Sequence, residues 1–498
     1  MMTKRGWWLV LLNLLVPGSA QVLAGNRRLG RIGLGATLLA WFLVIVGAGL
    51  ALFARPVLLW LTVGGGWFSA VVLTLVQVLL IAYLVLWVVL TFDVLRLVRL
   101  IRVPGPSKFA IPLVALLLLG LVGTGTGYAA SYVGTARGTI NTIFGQSGPS
   151  LPPSEGYYNI LLLGADSGEG RDSMRFDSIS VVSVNATTGA VTITGIPREL
   201  PNAPFSEGSP MQALYPNGFE GHSSSSCGWN GWMNHVRNAA EICRDDNGAS
   251  LYPDAAAHGS DAGIEATKDA AEGVLGIEIP YYVFVDMHGF AALVDALGGV
   301  DINVTERLPK GGPPEGTDPY DVDAWAIGWI EVGQQHMDGD TAQWYARSRY
   351  TTSDWDRMKR QRELQEAILA QFTPQTVLTR FNEVASAGTA LISTDLPQDK
   401  LPEFFDLMTK ARDQPVTTVE LTPEQGVDEH APDYGFIHEM MQQTLHPPTE
   451  TPRPRRRDRP CRDRRPMVVG RRSPVAMPRV ASAWFDHHER MSEPTATT

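Results

Sequence analysis

"YYNILLLGADSGEGRDSMRFDSISVVSVNATTGAVTITGIP", residues 157–197, is the stretch from which the fold is read. Its first part, "YYNILLLGAD", is a short apolar run stopped by Gly164 and predicts a buried strand. "SISVVSVN" and "AVTITGIP" follow, rich in β-branched residues and divided by the turn signal "ATTG", so two more strands are expected. Downstream, "DAGIEATKDAAEGVLG" and "MHGFAALVDALGG" carry helical patterns, and the strand-like runs "YYVFVDM" and "VDINV" lie between and after them. "TTSDWDRMKRQRELQEAILAQF" predicts another helix, its start marked by Ser353 and Asp356 at capping-box spacing. Such alternation predicts an α/β or α+β domain with helices covering a central sheet.

Working back toward the N-terminus, the runs 32–53, 68–92 and 109–133 are apolar and long enough to span a bilayer. A fourth run, "GWWLVLLNLLVPGSAQVLAG", is interrupted by Pro17 and Gly18 and reads as a half-helix or an interfacial segment. A cleaved signal peptide competes for the same residues, but the long runs that follow favour a polytopic anchor. Basic clusters "TKR", "NRRLGR" and "RLVRLIR" flank the runs, so the positive-inside rule keeps them in the cytoplasm and delivers everything after Val133 outside. The expected organisation is a membrane module over 1–133, a Gly/Ser/Pro linker over 134–156, a globular domain over 157–446, and a disordered Arg/Pro-rich tail over 447–498.

The formal net charge of −10 hides unlike regions. Residues 109–452 hold 19 Lys+Arg against 45 Asp+Glu, yet six of those 19 basic residues fall between Arg347 and Arg362. A concentration of cations in so acidic a region calls for a polyanionic ligand, and the surrounding field excludes nucleic acid as the obvious one. Cys227 and Cys243 lie 16 residues apart in a Gly/Ser-rich, Trp-containing segment with no zinc spacing. If that segment is extracytoplasmic, a disulfide is the expectation over two buried thiols.

Several residues could carry chemistry. Asp166 follows the first strand and Asp177 precedes the second, so a hairpin-like return would bring two hard oxygen donors to one sheet edge, suited to Mg²⁺ shared with a phosphate. Loop solvation or capping is the competing reading. The twelve residues 166–177 are no EF-hand, because Arg171 stands where that loop needs Gly. Arg175 precedes Asp177 by two, and Arg198 follows the third strand after Pro197. Arg347 and Arg349 would point the same way in extended chain, while Arg357, Arg360 and Gln361 share a face of the first helical turns. A helix N-terminus with planar guanidinium groups suits phosphate; an exposed helix with pairs such as Arg362 and Glu366 is the alternative.

"NILLLGADS", "RFDSISVVSVN", "TGIPREL", "GGVDINV" and "YARSRYTTSDWDRMKRQ" occur in an order that resembles the LytR-CpsA-Psr family of cell-envelope proteins, over residues 157–372. The resemblance implies a three-layer α/β/α sandwich outside the cytoplasmic membrane, preceded by an α-helical transmembrane module. It also implies binding of a polyprenyl pyrophosphate-linked glycan donor and transfer of the glycopolymer phosphate to a peptidoglycan acceptor. By motif, Asp166 and Asp177 match the family's Mg²⁺-associated aspartates. Arg175, Arg198, Arg347 and Arg349 match its pyrophosphate-binding arginines, and Arg357, Arg360 and Gln361 its remaining polar site residues. Glu199 stands where the family usually has Asp, and "RFDS" where "RSDT" is more common. Two alternatives to a transferase keep the same residues: a lipid pyrophosphatase that uses water as acceptor, and a membrane-tethered receptor that holds a phosphorylated lipid without turnover.

Overall fold

The computed structural model describes residues 2–103, 105–144, 148–165, 175–314, 316–371, 380, 384, 392–412 and 414–447. Asp166 and the tail expected to be disordered lie outside the described residues, apart from Pro447. The N-terminal part consists of helices α1 (Met2–Leu15), α2 (Ser19–Ala24), α3 (Arg27–Phe53), α4 (Arg55–Leu59), α5 (Trp67–Val98) and α6 (Ser107–Phe144). Pro17 and Gly18 break the first apolar run between α1 and α2, and three helices, beginning at Arg27, Trp67 and Ser107, are long and apolar enough to cross a membrane. Their outward faces expose Trp41, Phe42, Leu117 and Leu121, as a lipid-facing surface requires. Polar groups turn inward instead: Gln21 Nε2 donates to Leu90 O (2.8 Å) and Asn13 Nδ2 to Thr91 Oγ1 (3.2 Å). Helix α6 runs on to Phe144, so its last turns occupy part of the stretch expected to be linker.

The C-terminal part is built on a six-stranded mixed sheet. Its strands are β1 (Tyr157–Ala165), β2 (Phe176–Asn185), β3 (Val191–Ile196), β4 (Tyr281–Asp286), and, after the ribbon strands β5 (Val300–Val304), β6 (Leu308–Lys310), β7 (Gly328–Ile330) and β8 (Gly333–Met337), the edge strands β9 (Ile392–Thr394) and β10 (Thr417–Glu420). The order is β10-β3-β2-β1-β4-β9, with β1 antiparallel to β2, β2 antiparallel to β3, and β1 parallel to β4. The strand expected in "VDINV" forms as β5, but it pairs with β8 in a separate two-stranded ribbon rather than joining the central sheet.

Domain helices are α7 (Pro210–Leu214), α8 (Ala262–Leu275), α9 (Met287–Leu297), α10 (Val322–Trp325), α11 (Gly339–Arg347), α12 (Asp354–Gln371), α13 (Leu401–Ala411) and α14 (Tyr434–Leu445). Alternation along β1 assigns the two faces of the sheet. Leu161 and Leu163 pack with Ala270 and Val274 of α8 and with Ile437 and Met441 of α14. Tyr158 points the other way, against Phe404 of α13, with ring centroids 5.0 Å apart. Helices therefore cover both faces, which is the α/β/α arrangement expected. A second core joins α9, the two ribbons, α11 and α12 through Val294, Ile302, Tyr345 and Leu364.

Candidate functional site

Register places the site at one end of the sheet. Ile179 of β2 pairs with Ile196 of β3 antiparallel, so continuing the ladder outward sets Asp177 opposite Arg198. Arg198 Nη1 donates to Asp177 Oδ1 at 2.8 Å. Strand β1 ends at the same edge with Ala165, opposite Phe176, so the chain leaves β1 there toward Asp166.

Helix α12 brings its first turn to this edge. Asp356 N–H donates to Ser353 Oγ (3.1 Å) while Ser353 N–H donates to Asp356 Oδ2 (2.9 Å), the reciprocal cap expected from spacing. Those hydrogen bonds from Ser353 hold the Asp356 carboxyl below its ordinary range. Inside the cap sits Asp354, which the sequence reading did not single out. Its Oδ2 accepts from Arg357 Nη2 at 3.0 Å, and its Oδ1 lies 3.8 Å from both Arg198 Nη2 and Arg349 Nη1. The signal was present as an acid three residues before an arginine on one helix face.

The result is a cluster of Arg198, Arg349 and Arg357 around Asp177 and Asp354, with Glu199 on Arg198 Nη2 at 3.0 Å and half exposed. Arg357 is buried, and burial pulls its pKa below the ordinary value while Asp354 opposes the shift; it remains a cation. Nε of Arg198, Nε of Arg357 and Oδ1 of Asp354 are buried without a hydrogen-bond partner among the described residues. Desolvated donors left unsatisfied are costly, so the two Nε atoms mark a place prepared for an oxyanion, whereas Asp354 Oδ1 is an acceptor that calls for a cation or a donor.

The remaining residues singled out from sequence are placed differently. Arg347 ends α11 in helical rather than extended chain, so it does not follow the alternation expected with Arg349; its guanidinium lies 5.3 Å from the Trp344 ring centroid. Arg360 donates from Nε to Tyr345 O (3.1 Å), from Nη1 to Glu306 Oε1 (2.8 Å), and from Nη2 to Ser348 O and Thr352 Oγ1. Gln361 Nε2 donates to Ala346 O at 3.3 Å. Both brace the connection between α11 and α12, which carries Arg349. Arg362 is buried against Glu420 of β10 (3.0 Å) rather than paired with Glu366, and Gly195 on β3 leaves the room that this carboxylate occupies. Arg175 is exposed just before β2 and lines an adjoining groove. Cys227 and Cys243 form a disulfide, the outcome expected if that segment is extracytoplasmic.

Residues 244–446 match the LytR_cpsA_psr family, a span that includes α12 and leaves out β1 to β3. Biofilm regulatory protein A of Streptococcus mutans is 26% identical over 302 residues, 58% of this chain and 63% of that protein. A polyisoprenyl-teichoic acid–peptidoglycan teichoic acid transferase, TagU of Bacillus anthracis, is 25% identical over 257 residues, 51% of this chain and 65% of that protein. The chain thus spans less than two thirds of the length of these curated relatives, 63% and 65%. The crystal structure of Bacillus subtilis TagV aligns at a TM-score of 0.39 and 18% identity, covering 58% of this chain and 97% of that one.

Proposed function

We propose that this chain, whose residues 244–446 match the LytR_cpsA_psr family, is a membrane-anchored phosphotransferase moving a glycopolymer phosphate from a polyprenyl pyrophosphate carrier to peptidoglycan. The observation that carries this reading is the gathering of Arg198, Arg349 and Arg357 at one sheet edge, with two guanidinium Nε atoms desolvated and unpartnered. In the proposed step an acceptor sugar hydroxyl attacks the phosphorus bearing the glycan. The bond from that phosphorus to the bridging oxygen breaks, polyprenyl phosphate leaves, and the hydroxyl proton passes to a carboxylate of the Asp166 and Asp177 pair. Arg198 and Arg357 meet the charge that grows on the leaving phosphate, and Arg349, nearly half exposed, steers the incoming diphosphate. Arg175 and Arg347 flank the diphosphate in this reading. Arg360 and Gln361 act by holding the connection that presents Arg349.

Asp177 is partly exposed and Asp354 Oδ1 has no hydrogen-bond partner among the described residues, and carboxylate oxygens of this kind are donors for a hard divalent cation. Mg²⁺ takes one or two carboxylates and completes its shell with water and phosphate oxygens. Asp166 and Asp177 would hold it, and when bound it supplies neutralisation of phosphate charge. Basic residues flanking the spans and the Cys227–Cys243 disulfide support a multi-pass protein with this domain outside the cytoplasmic membrane.

Purified full-length protein given lipid-linked glycan and peptidoglycan fragments should form a joined product and polyprenyl phosphate. Free glycan phosphate alone would instead make water the acceptor, and lipid binding with no turnover would leave a receptor.

A further inference from the structure

Beside the arginine cluster lies a groove of 1130 Å³ of which the proposed chemistry uses only Arg175. Its wall is the segment 221–235, folded back on itself by paired hydrogen bonds between His222 and Trp229 (2.8 and 2.9 Å) and tied by the Cys227–Cys243 disulfide. The same segment is fastened to the site: Met233 N–H donates to Leu200 O (3.0 Å) and Asn234 N–H to Arg198 O (2.8 Å). Arg175 lines the groove as well. The groove therefore adjoins the residues on which the phosphate reading rests.

Its lining is chemically selective. Trp232 is 36% exposed, Trp229 packs against the His222 ring in a tilted arrangement at 4.8 Å between centroids, and Ser223, Ser224 and Ser225 are exposed. His235 is 4% exposed and accepts the Asn230 N–H at Nδ1 (2.8 Å), so its proton resides on Nε2. That Nε2 is buried with no partner among the described residues, and His235 is one of the residues that line the groove. Burial and the neighbouring Arg175 charge lower the pKa of His235 and keep the ring neutral. Aliphatic side chains are missing from the lining among the described residues, which offers a lipid tail no apolar slot, and a net acidic domain repels a nucleic acid. What fits is a molecule with hydroxyls for the serines and His235 and a weakly apolar C–H face for an indole, with Arg175 the one charged group of the described lining.

We propose that this disulfide-tied groove is a saccharide-binding subsite in which Trp232 stacks on a pyranose ring, His235 Nε2–H donates to a sugar oxygen, and the exposed serines meet ring hydroxyls. The volume exceeds the 300–1,000 Å³ typical of small-ligand pockets, room for more than one ring. The subsite rests on the transferase reading for its purpose, and its sugar belongs either to the glycan of the lipid donor or to the acceptor strand.

The test uses full-length protein in detergent with an uncharged N-acetylglucosamine tetramer as probe, read by saturation-transfer NMR and calorimetry. Trp232→Ala should weaken binding about tenfold, Trp232→Tyr should restore most of it, and His222→Ala, on the exposed side of Trp229, should give an intermediate loss. Unchanged binding in Trp232→Ala and His222→Ala, or no saturation transfer to the tetramer in wild type, would overturn the subsite even if glycan transfer proceeds. In the transfer assay, a raised KM for peptidoglycan fragments alone assigns the groove to the acceptor, and a raised KM for the lipid-linked glycan alone assigns it to the donor. Tetramer binding that depends on Trp232 in a protein without transfer activity would sink the transferase reading and leave the subsite standing.

Discussion

The first turn of α12 and the turns that follow it use the same side chain for opposite ends. At the start, Arg357 shares Asp354 with Arg198 and Arg349 and keeps an unpartnered Nε. One turn on, Arg360 spends all three of its nitrogens on Tyr345, Ser348, Thr352 and Glu306, and Arg362 is closed against Glu420 and Gln365. A run of arginines is therefore not one binding surface. Guanidinium groups whose donors are satisfied by backbone carbonyls hold the chain in place, and those left with a desolvated donor can grip a ligand.

The largest expected effect separates the two classes by stability. Arg360→Ala removes its four hydrogen-bond partners at once and should destabilise the full-length protein by about 3–5 kcal/mol, read as a drop in melting temperature in detergent. A melting temperature close to wild type would erase the distinction. Arg357→Ala should do the reverse, lowering glycan transfer by roughly 10²–10³-fold with a smaller change in melting than Arg360→Ala. Equal losses of stability in the two variants would break the comparison.

Smaller effects sharpen it. Ser353→Ala removes the cap that sets the first turn and should cost about 1 kcal/mol at neutral pH. Because Ser353 lowers the Asp356 pKa, the contribution of that hydrogen-bonded carboxylate is present above the ordinary Asp value and lost as pH falls through the lowered one. Denaturation curves of wild type and Ser353→Ala should then approach each other in acid. Smallest of all, Arg349→Ala should leave stability within about 0.5 kcal/mol, since the side chain is 47% exposed, and show itself only in transfer.

How much of this was legible in sequence follows from what each element depends on. β1, β2 and β3 were readable because their apolar and β-branched runs are intrinsic to the segment. The partner of β5 was not, because "GQQHM" of β8 has no strand-like hydrophobicity, and its cross-strand contact of His336 with Asp301 exists only once the two segments are paired. β9 and β10 are three and four residues long, too short to show a period. At the site, the capping pair Ser353 and Asp356 was local and legible. The role of Arg362 was not, because Glu420 lies 58 residues away and only the fold brings it near. The backbone state of Arg347 was not legible for a related reason: whether a residue between two elements is helical or extended is set by where α11 stops, which Ser348 decides by turning extended.

The central claim, that Arg198 and Arg357 bind a diphosphate, is tested most directly by mass spectrometry of lipid that co-purifies with the full-length protein extracted from membranes. Wild type should carry a polyprenyl pyrophosphate lipid, and Arg198→Ala and Arg357→Ala, folded by melting, should lose it. Retention of the same lipid in both variants, or a wild-type protein that carries only lipids without a diphosphate, would contradict the account.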